Sequence, residues 1–330
     1  MKERYRNIEI MKAIGIFLVV LGHSFPDASN ALGIQNALFR VVHQIIYSFH
    51  MPLMFFVSGF LSKRALDKEQ KGYIKDRVRR LLIPYLVVGL IYAPFKLILS
   101  KYANNYYDIK KIWQMFFGEN PDGGLWYLYS LFLIQVIMYC FVTAGNLRKF
   151  VLISGLVSMS VFLLDISFYR IDDTIYYLFF ALLGLCFRDN YGKKESATAR
   201  KYIMILAFIC CEFVLLFFDV KWIKFFCGIF AIMVIWELAN SFGKKKDEKS
   251  FVKNGIEKVC VILSEYSMDI YIFHGIIMVA IRIVLWSILR VNYYVCCLSM
   301  LVGGLLLSML ISKYMVRKIK IMRTLFLGSK

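Results

Sequence analysis

The chain has 330 residues, of which 60% are hydrophobic, and its formal net charge is +19 at pH 7. Soluble domains are about 45–50% apolar, so this composition excludes an ordinary soluble protein. A charge of this size could indicate a nucleic-acid partner. The basic residues, however, fall in alternate loops between long apolar runs. We therefore expect no nucleic-acid binding and a polytopic membrane protein instead.

The apolar runs predict an all-α membrane helix bundle with about ten transmembrane helices. Several are only about 16–18 residues long, the lower limit for crossing a bilayer. The predicted spans cover residues 8–25, 38–61, 81–99, 124–144, 150–165, 173–188, 202–219, 222–240, 267–287 and 293–314. No internal repeat interrupts this pattern. We expect a single domain over residues 1–330 without an appended soluble domain.

Basic residues predict the orientation of the bundle. Of the 41 lysines and arginines, 31 lie in the N-terminal segment, the C-terminal tail and the loops that follow even-numbered spans. The positive-inside rule places these parts, and therefore both termini, in the cytoplasm. We expect a multi-pass protein of the plasma membrane that contacts membrane lipids.

The eight cysteines do not form a C-x-x-C pair, and most of them lie in apolar segments. Such cysteines usually behave as small buried hydrophobic residues. We therefore expect no metal site, no disulfide framework and no permanently bound cofactor.

The first span contains Lys12 and, eleven positions later, His23. On an α-helix this spacing brings both side chains to nearly the same face, about 16 Å apart. Ionisable groups in a membrane segment usually face a cavity or a pathway. Glu9 lies three positions before Lys12 and can pair with it. The pair is either an ordinary interfacial ion pair or a phosphate contact at the entrance of a channel.

All four histidines, at positions 23, 43, 50 and 274, lie in or beside predicted spans. Imidazole changes its charge near neutral pH, so it is a natural proton acceptor for a hydroxyl nucleophile. A purely structural role is the alternative. Composition does not decide which histidine acts.

Other polar or aromatic positions have two interpretations each. Ser58 is followed by glycine, so it can belong either to a close-packing surface or to a site. The basic cluster with Arg77 and Arg80 can contact anionic lipids or a substrate. Trp126, at the outer end of the fourth predicted span, is typical of an interfacial aromatic residue.

Five fragments together resemble the acyltransferase 3 family of integral membrane acyltransferases. They occur in the family's order and cover the chain from end to end. The fragments are Arg6–Lys12 leading to His23, Phe49–Phe60, Arg79–Tyr85, Leu125–Leu128 and Ser267–His274. The Phe-His-Met-Pro sequence at residues 49–52 is similar to that of polysaccharide O-acetyltransferases such as fucose 4-O-acetylases.

The resemblance implies ten membrane helices, an acyl-CoA donor on the cytoplasmic side, and a basic residue–histidine motif at Lys12 and His23. The family more often has arginine at the first position, and lysine lacks the bidentate fork of arginine. Many relatives carry a fused extracytoplasmic esterase-like domain. We do not expect one here, so such a step would need a partner protein.

The leading hypothesis is transfer of an acyl group, chiefly acetyl, from cytoplasmic acetyl-CoA to a hydroxyl of a cell-surface or lipid-linked glycan. Other glycan assembly proteins are expected partners. His23 would act as general base, with His50 and His274 as further catalytic candidates. The donor-binding candidates are Lys12, Glu9, Arg77 and Arg80. The substrate-binding candidates are Ser58, Trp126 and Tyr271.

Two other functions fit the same physics. A polysaccharide or lipid transporter could use intramembrane histidines as a proton relay. The sequence shows no repeated halves and no pair of broken helices, which transporters often have. A sensor or scaffold would use the polar groups only for packing, and it would tolerate substitution of Lys12 and His23.

Overall fold

A computed structural model describes residues 5–24, 37–63, 72–98, 108–164, 168–189, 198–218, 220–243 and 251–329. Within these ranges the chain is helical and has no β-strand. The all-α prediction is therefore confirmed. Four predicted span ends lie outside the described residues: 25, 99, 165 and 219. Residues 64–71 of the basic loop after the second predicted span also lie outside them.

Thirteen α-helices follow one another in the described part of the chain. They are α1 (Arg6–His23), α2 (Ala37–Phe60), α3 (Tyr73–Arg77), α4 (Ile83–Ile98), α5 (Trp126–Phe141), α6 (Leu147–Leu163), α7 (Ile171–Asp189), α8 (Thr198–Phe217), α9 (Lys221–Gly243), α10 (Phe251–Glu265), α11 (Ser267–Arg282), α12 (Tyr293–Ile311) and α13 (Lys320–Leu327). A π-helical turn at Val78–Leu82 joins α3 to α4, and similar turns extend α11 over Ile283–Ile288 and α12 over Ser312–Val316. Two 3₁₀ turns, Ile109–Phe117 and Gly123–Leu125, precede α5.

Helices occupy all ten of the predicted places. Of the described helices, six are long and apolar enough to cross a membrane: Phe39–Phe60, Tyr73–Ile98, Gly123–Phe141, Trp222–Phe242, Ser267–Ile288 and Tyr293–Val316. The protein is therefore a multi-pass membrane protein. The helices at the other four predicted places, α1, α6, α7 and α8, are not among these six, so the ten-span topology stays a prediction.

Helix α10 differs from the sequence-based expectation. The segment from Lys244 to Lys258 was expected to be a basic loop, but Phe251–Glu265 forms a helix. Between its lysines the segment has apolar residues at helical spacing, among them Ile256 and Val259. Both of these side chains are exposed. Glu257 forms an ion pair with Arg6, so α10 is anchored against the beginning of α1.

The closest helix contact joins α2 and α7 and is made possible by glycine. A methyl group on Gly59 would overlap the backbone carbonyl of Ala181, and one on Gly184 would overlap that of Phe56. Small residues let membrane helices approach until their backbones touch. The large side chains of Phe56 and Phe180 next to these glycines are fully buried, so this contact forms the centre of the core.

The outward faces of α6 and α8 are apolar. Leu152 and Leu156 on α6, and Leu206 and Phe213 on α8, each expose more than 60% of their surface. Large contiguous apolar patches are unusual on soluble monomers and indicate contact with another apolar phase. These faces therefore suit hydrocarbon chains of a bilayer.

Several helix ends meet at one end of the bundle. Arg188, near the end of α7, donates to the carbonyl of Phe60 at the end of α2 at 3.1 Å, and its guanidinium lies over the ring of Tyr5, which precedes α1. Asn7 of α1 donates to Asn240 of α9 at 3.0 Å. The beginning of α1 therefore lies with the ends of α2, α7 and α9, and His23 lies toward the opposite side.

Candidate active site

A cavity of about 120 Å³ lies among α1, α2, α7, α11 and the turn before α5. Four of the predicted site residues line it: His23, His50, Trp126 and Tyr271. Tyr47 and Tyr177 contribute further aromatic walls. The described residues that line the cavity carry no formal charge. A larger pocket of about 180 Å³ between α1, α9 and α10 is almost entirely apolar and offers few groups for chemistry.

His23 and His274 form an imidazole pair at this cavity. Nδ1 of His23 lies 2.9 Å from the carbonyl of Val19 and 3.4 Å from Nε2 of His274. Nδ1 of His274 lies 2.8 Å from the carbonyl of Tyr271. A carbonyl only accepts, so in each neutral ring Nδ1 carries the proton and Nε2 carries the lone pair. His23 remains exposed, which leaves its Nε2 as a proton acceptor at the cavity.

His50 lies on the α2 side of the cavity and is 3% exposed. Its Nδ1 lies 2.8 Å from the carbonyl of Ile46, so the same argument gives Nε2 the lone pair. The ring of Tyr47 lies 4.7 Å from the His50 ring and is stacked on that of His43 at 3.8 Å. All four histidines therefore belong to one region of the fold, and three of them belong to the cavity or its wall.

The remaining wall is built from rigid aromatic rings. Tyr177 of α7 stacks on Phe55 of α2 at 4.5 Å and lies 5.4 Å from Trp126 at the beginning of α5. The Tyr271 hydroxyl donates to the carbonyl of Gly124. Tyrosine and tryptophan combine an apolar body with a polar tip, so this wall can hold the ring of a substrate and orient its hydroxyl groups.

The turn that carries Gly124 is fixed by its own polar side chains. The Gly124 N–H donates to Asp122 Oδ1 at 3.0 Å, and the Asp122 N–H donates to Asn120 Oδ1 at 2.9 Å. Lys96 donates to the carbonyl of Pro121 at 3.1 Å. Burial raises the pKa of the Asp122 carboxyl, and the Gly124 N–H and the Lys96 ammonium act in the opposite direction. The sequence analysis missed Asp122, although a Pro-Asp-Gly-Gly segment is a strong turn signal.

Lys12 and His23 both lie on α1, where their eleven-residue spacing predicts that they share a face of the helix. Lys12 lies within electrostatic range of the Asp269 carboxylate of α11 and of Glu9. His23 contacts His274 of the same helix. Lys12 is not among the described residues that line the cavity, so of the two motif residues only His23 lines it.

Arg77 and Arg80 lie in a basic cluster near the junction of α3 and α4. Their guanidinium groups are each 3.2 Å from Asp76, and that of Arg79 is 2.7 Å from the same carboxylate. Three cations around one anion leave a net positive charge. The cluster does not line the histidine cavity.

Buried polar side chains lead from this cluster toward the cavity. The Arg77 guanidinium lies 5.0 Å from the centre of the Tyr73 ring, and the Tyr73 hydroxyl donates to the amide oxygen of Gln135. The amide nitrogen of Gln135 donates to Ser62 at 2.5 Å, and the Ser62 hydroxyl donates to the carbonyl of Ser58. Polar groups inside a membrane bundle are costly unless they are satisfied in this way.

Ser58 connects this chain of contacts to the cavity wall. Its hydroxyl lies 2.7 Å from that of Tyr127, whose ring packs edge-on against Tyr271 at 5.3 Å. Ser58 itself does not line the cavity. Neither Tyr127 nor Gln135 was among the predicted site residues.

Comparisons with known proteins identify the family of the chain. The acyltransferase domain of the acyltransferase 3 family matches residues 5–312. The nodulation protein NolL of Sinorhizobium fredii (strain NBRC 101917 / NGR234) is 24% identical over 205 residues, which cover 62% of this chain and 54% of NolL. The alignment thus spans about half of that relative. No solved structure matches the chain. Because the family match extends over nearly the whole chain and the helices form a membrane bundle, the chain belongs to the acyltransferase 3 family of membrane acyltransferases.

Proposed function

We propose that the protein transfers an acetyl group from cytoplasmic acetyl-CoA to a hydroxyl group of a cell-surface or lipid-linked glycan in the plasma membrane. The observation that carries this proposal is the exposed imidazole of His23 in a cavity with uncharged walls, with His274 against its Nδ1. Membership of the family supports acyl transfer. It also argues against a transporter.

His23 acts as general base in the proposed reaction. Its Nε2 accepts the proton of the sugar hydroxyl while the hydroxyl oxygen attacks the thioester carbonyl carbon. The carbon–sulfur bond then breaks, and the same proton passes to the departing thiolate, so the reaction neither consumes nor releases a proton. His274 accepts from Nδ1–H of His23 and orients the ring. An acetyl-histidine intermediate is a variant of the same arrangement.

The aromatic wall binds the acceptor and the reacting carbonyl. Trp126 and Tyr177 hold the sugar ring, because flat apolar surfaces suit its C–H faces. The tetrahedral intermediate requires a hydrogen-bond donor for its oxyanion. Of the predicted donors, the Tyr271 hydroxyl lines the cavity, and Ser58 and His274 lie outside the set of described residues that line it.

The donor enters from the inner end of the bundle. Arg77 and Arg80 bind the phosphates of CoA, because their cluster has an excess of positive charge. Glu9 and Lys12 lie on the first turns of α1 at the same end.

This donor route rests on a ten-span topology with cytoplasmic termini. The beginning of α1 lies with the ends of α2, α7 and α9, which supports this topology. Successive helices that cross a bilayer in alternate directions bring these particular ends to the same side. Membrane lipids surround the apolar faces of α6 and α8. Other glycan assembly proteins supply the acceptor.

Two measurements test the proposal. Purified protein in detergent, given radiolabelled acetyl-CoA and surface polysaccharide from a deletion strain, should transfer label without any gradient. Acetyl methyl signals in the NMR spectrum of the surface glycan should disappear on deletion and return with the wild-type chain but not with His23→Gln. Full acetylation by His23→Gln would remove His23 from its role, and an absence of acyl transfer by the wild type would contradict the function.

A further inference from the structure

Arg170, which directly precedes α7, is held between two carboxylates from different parts of the fold. Its Nη1 donates to Oδ2 of Asp173 at 2.9 Å, and its Nε lies 3.4 Å from Oε1 of Glu119. Asp173 belongs to the first turn of α7, and Glu119 lies in the loop that leads to α5. Arg170 therefore ties the beginning of α7 to the segment before α5, and the proposed mechanism uses none of these three residues.

The position of Arg170 is imposed by its surroundings. The preceding residue, Tyr169, has a left-handed backbone with φ of 52°. A residue other than glycine rarely adopts this conformation, and it persists only where the surrounding contacts hold it. The Tyr169 ring packs on that of Phe117 at 5.1 Å, and a methyl group on Gly118 would overlap the side chain of Arg170. The arginine is thus packed against this loop, and its side chain is only 30% exposed.

The guanidinium of Arg170 also lies over the indole of Trp126, 5.8 Å from the centre of the ring. A cation over the face of a tryptophan ring is attracted by the ring's quadrupole. Trp126 lines the histidine cavity and lies 5.4 Å from the ring of Tyr177, which lines the same cavity. Tyr177 follows Asp173 by one turn of α7. Arg170 therefore contacts one ring of the aromatic wall directly and the helix of the other through Asp173.

We propose that Arg170 is a positioning residue for the acceptor, which holds the Trp126 indole at the distance from Tyr177 that suits a sugar ring. This inference rests on the proposed function, because that function assigns the two rings to the acceptor. Loss of Arg170 should loosen the acceptor and leave the donor unaffected, since Arg77 and Arg80, the proposed donor contacts, belong to a separate cluster.

Arg170→Met tests the proposal kinetically. Methionine keeps an unbranched stem and removes the guanidinium. With polysaccharide from the deletion strain as acceptor, we expect the KM for the polysaccharide to rise about threefold to tenfold, the range of an interaction between a guanidinium and an indole. The KM for acetyl-CoA and kcat should stay at wild-type values, because neither the arginine cluster nor His23 is changed.

Two neighbouring carboxylates supply a matched control. Asp173→Asn weakens the hold on Arg170 and should raise the KM for the polysaccharide in the same direction. The side chain of Asp172 instead lies 3.4 Å from the N–H of Phe168. Asp172→Asn removes the same charge one position away and should leave all three constants at wild-type values. Equal rises in both variants would mean that only the local charge matters, and this would overturn the proposal.

A double substitution separates positioning from direct contact with the acceptor. Trp126→Leu removes the indole and should itself raise the KM for the polysaccharide. If Arg170 acts through the indole, adding Arg170→Met to Trp126→Leu should raise this KM no further, because interacting residues are not additive. A further rise equal to that of Arg170→Met alone would show that Arg170 acts independently of Trp126, and the positioning role would fail.

A spectroscopic measurement makes the test independent of activity. The chain has five tryptophans, so fluorine NMR of protein labelled with fluorotryptophan in detergent gives five signals that single substitutions assign. Arg170→Met should shift the Trp126 signal. It should leave the signal of Trp236 in place, because that ring packs on Phe187 near the other end of α7, at 5.2 Å. Asp172→Asn should leave both signals in place.

The outcomes are distinct. An unshifted Trp126 signal in folded Arg170→Met overturns the positioning role, whatever the activity is. If the wild type transfers no acetyl group, the proposed function fails, while the fluorine signals still decide whether Arg170 holds Trp126. Should Arg170→Met not fold, Glu119→Gln/Asp173→Asn removes both carboxylates that hold the guanidinium and should shift the same signal. An unshifted signal in that variant also overturns the proposal.

Discussion

The histidine cavity and the arginine cluster are the two polar regions that matter for the proposed reaction, and they are built in opposite ways. The described residues that line the cavity are imidazole, aromatic and small apolar groups without formal charge. The cluster gathers three guanidinium groups around Asp76, and the side chain of Arg80 is 48% exposed. One region is an aromatic cavity without formal charge, and the other is a charged surface.

This difference separates chemistry from charge recognition. Fixed dipoles act most strongly on a developing oxyanion where water is excluded. Phosphate groups, by contrast, are too costly to bury in such a place, and they bind best at an accessible cationic surface. Substitutions in the cavity should therefore lower kcat, and substitutions in the cluster should raise KM. Four predictions test this division.

The largest effect is expected for His23→Gln. Loss of a general base lowers kcat about 10²- to 10⁴-fold, with the KM for acetyl-CoA unchanged and normal insertion into the membrane. The assay is initial-rate acetyl transfer by purified protein. His43→Gln is the control, because His43 stacks on Tyr47 without lining the cavity. Equal losses of kcat in His23→Gln and His43→Gln would mean that the imidazoles contribute through packing rather than through proton transfer.

His274→Gln should have the next largest effect. His23 keeps its contact with Val19 but loses its neighbour at Nδ1, and we expect kcat to fall about 10- to 100-fold through misorientation of the ring. The double substitution His23→Gln/His274→Gln should be no slower than His23→Gln alone. Multiplied losses in the double variant would show that His274 has an independent catalytic role.

Arg77→Gln and Arg80→Gln should act on donor affinity. Each removes a charge-assisted contact of about 1.5–3 kcal/mol, so the KM for acetyl-CoA should rise about tenfold or more while kcat stays at the wild-type value. The rise should shrink at high salt. Arg148→Gln, an exposed arginine at the beginning of α6, is the control. A fall in kcat without a change in KM would break the proposed division.

Ser58→Ala should have the smallest effect. The Ser58 hydroxyl forms a hydrogen bond with that of Tyr127 and does not line the cavity. Losing one hydrogen bond of about 1 kcal/mol should therefore reduce kcat/KM only a few-fold. Loss of an oxyanion donor instead costs about 10²- to 10³-fold in kcat. Rates measured for Ser58→Ala beside Tyr271→Phe therefore decide which hydroxyl serves the intermediate.

Much of the helical framework follows from local pattern. Long apolar runs with basic loops predicted helices at all ten places where they occur, because a bilayer demands continuous internal hydrogen bonding of the backbone. The pattern failed at α10, whose lysines and glutamates conceal a short amphipathic helix anchored by Arg6 and Glu257. The stability of a short amphipathic helix depends on the surface against which it packs. The sequence of residues 251–265 alone does not specify that surface.

The site was predictable to a similar degree. His23, His50, Trp126 and Tyr271 line one cavity, and their distance in sequence gave no reason to place them together apart from the family resemblance. Tyr177 and Asp122 were missed because aromatic and acidic residues near membrane interfaces are common. Asp269 lay inside a recognised fragment, but only the structure shows that Ser312 and Arg317 bind its carboxylate.

The sequence by itself determined that the chain is a membrane helix bundle, which residues are polar within it, and that Lys12 and His23 point the same way, because hydropathy and helical period are local properties. Only the tertiary structure decided that His274 rather than another histidine meets His23 and that Ser58 lies outside the cavity. These relations depend on how closely α2 approaches α7 and how α1 is held on α11. Backbone contact at Gly59 and Gly184 sets the first of these distances, and the contact of His23 with His274 belongs to the second.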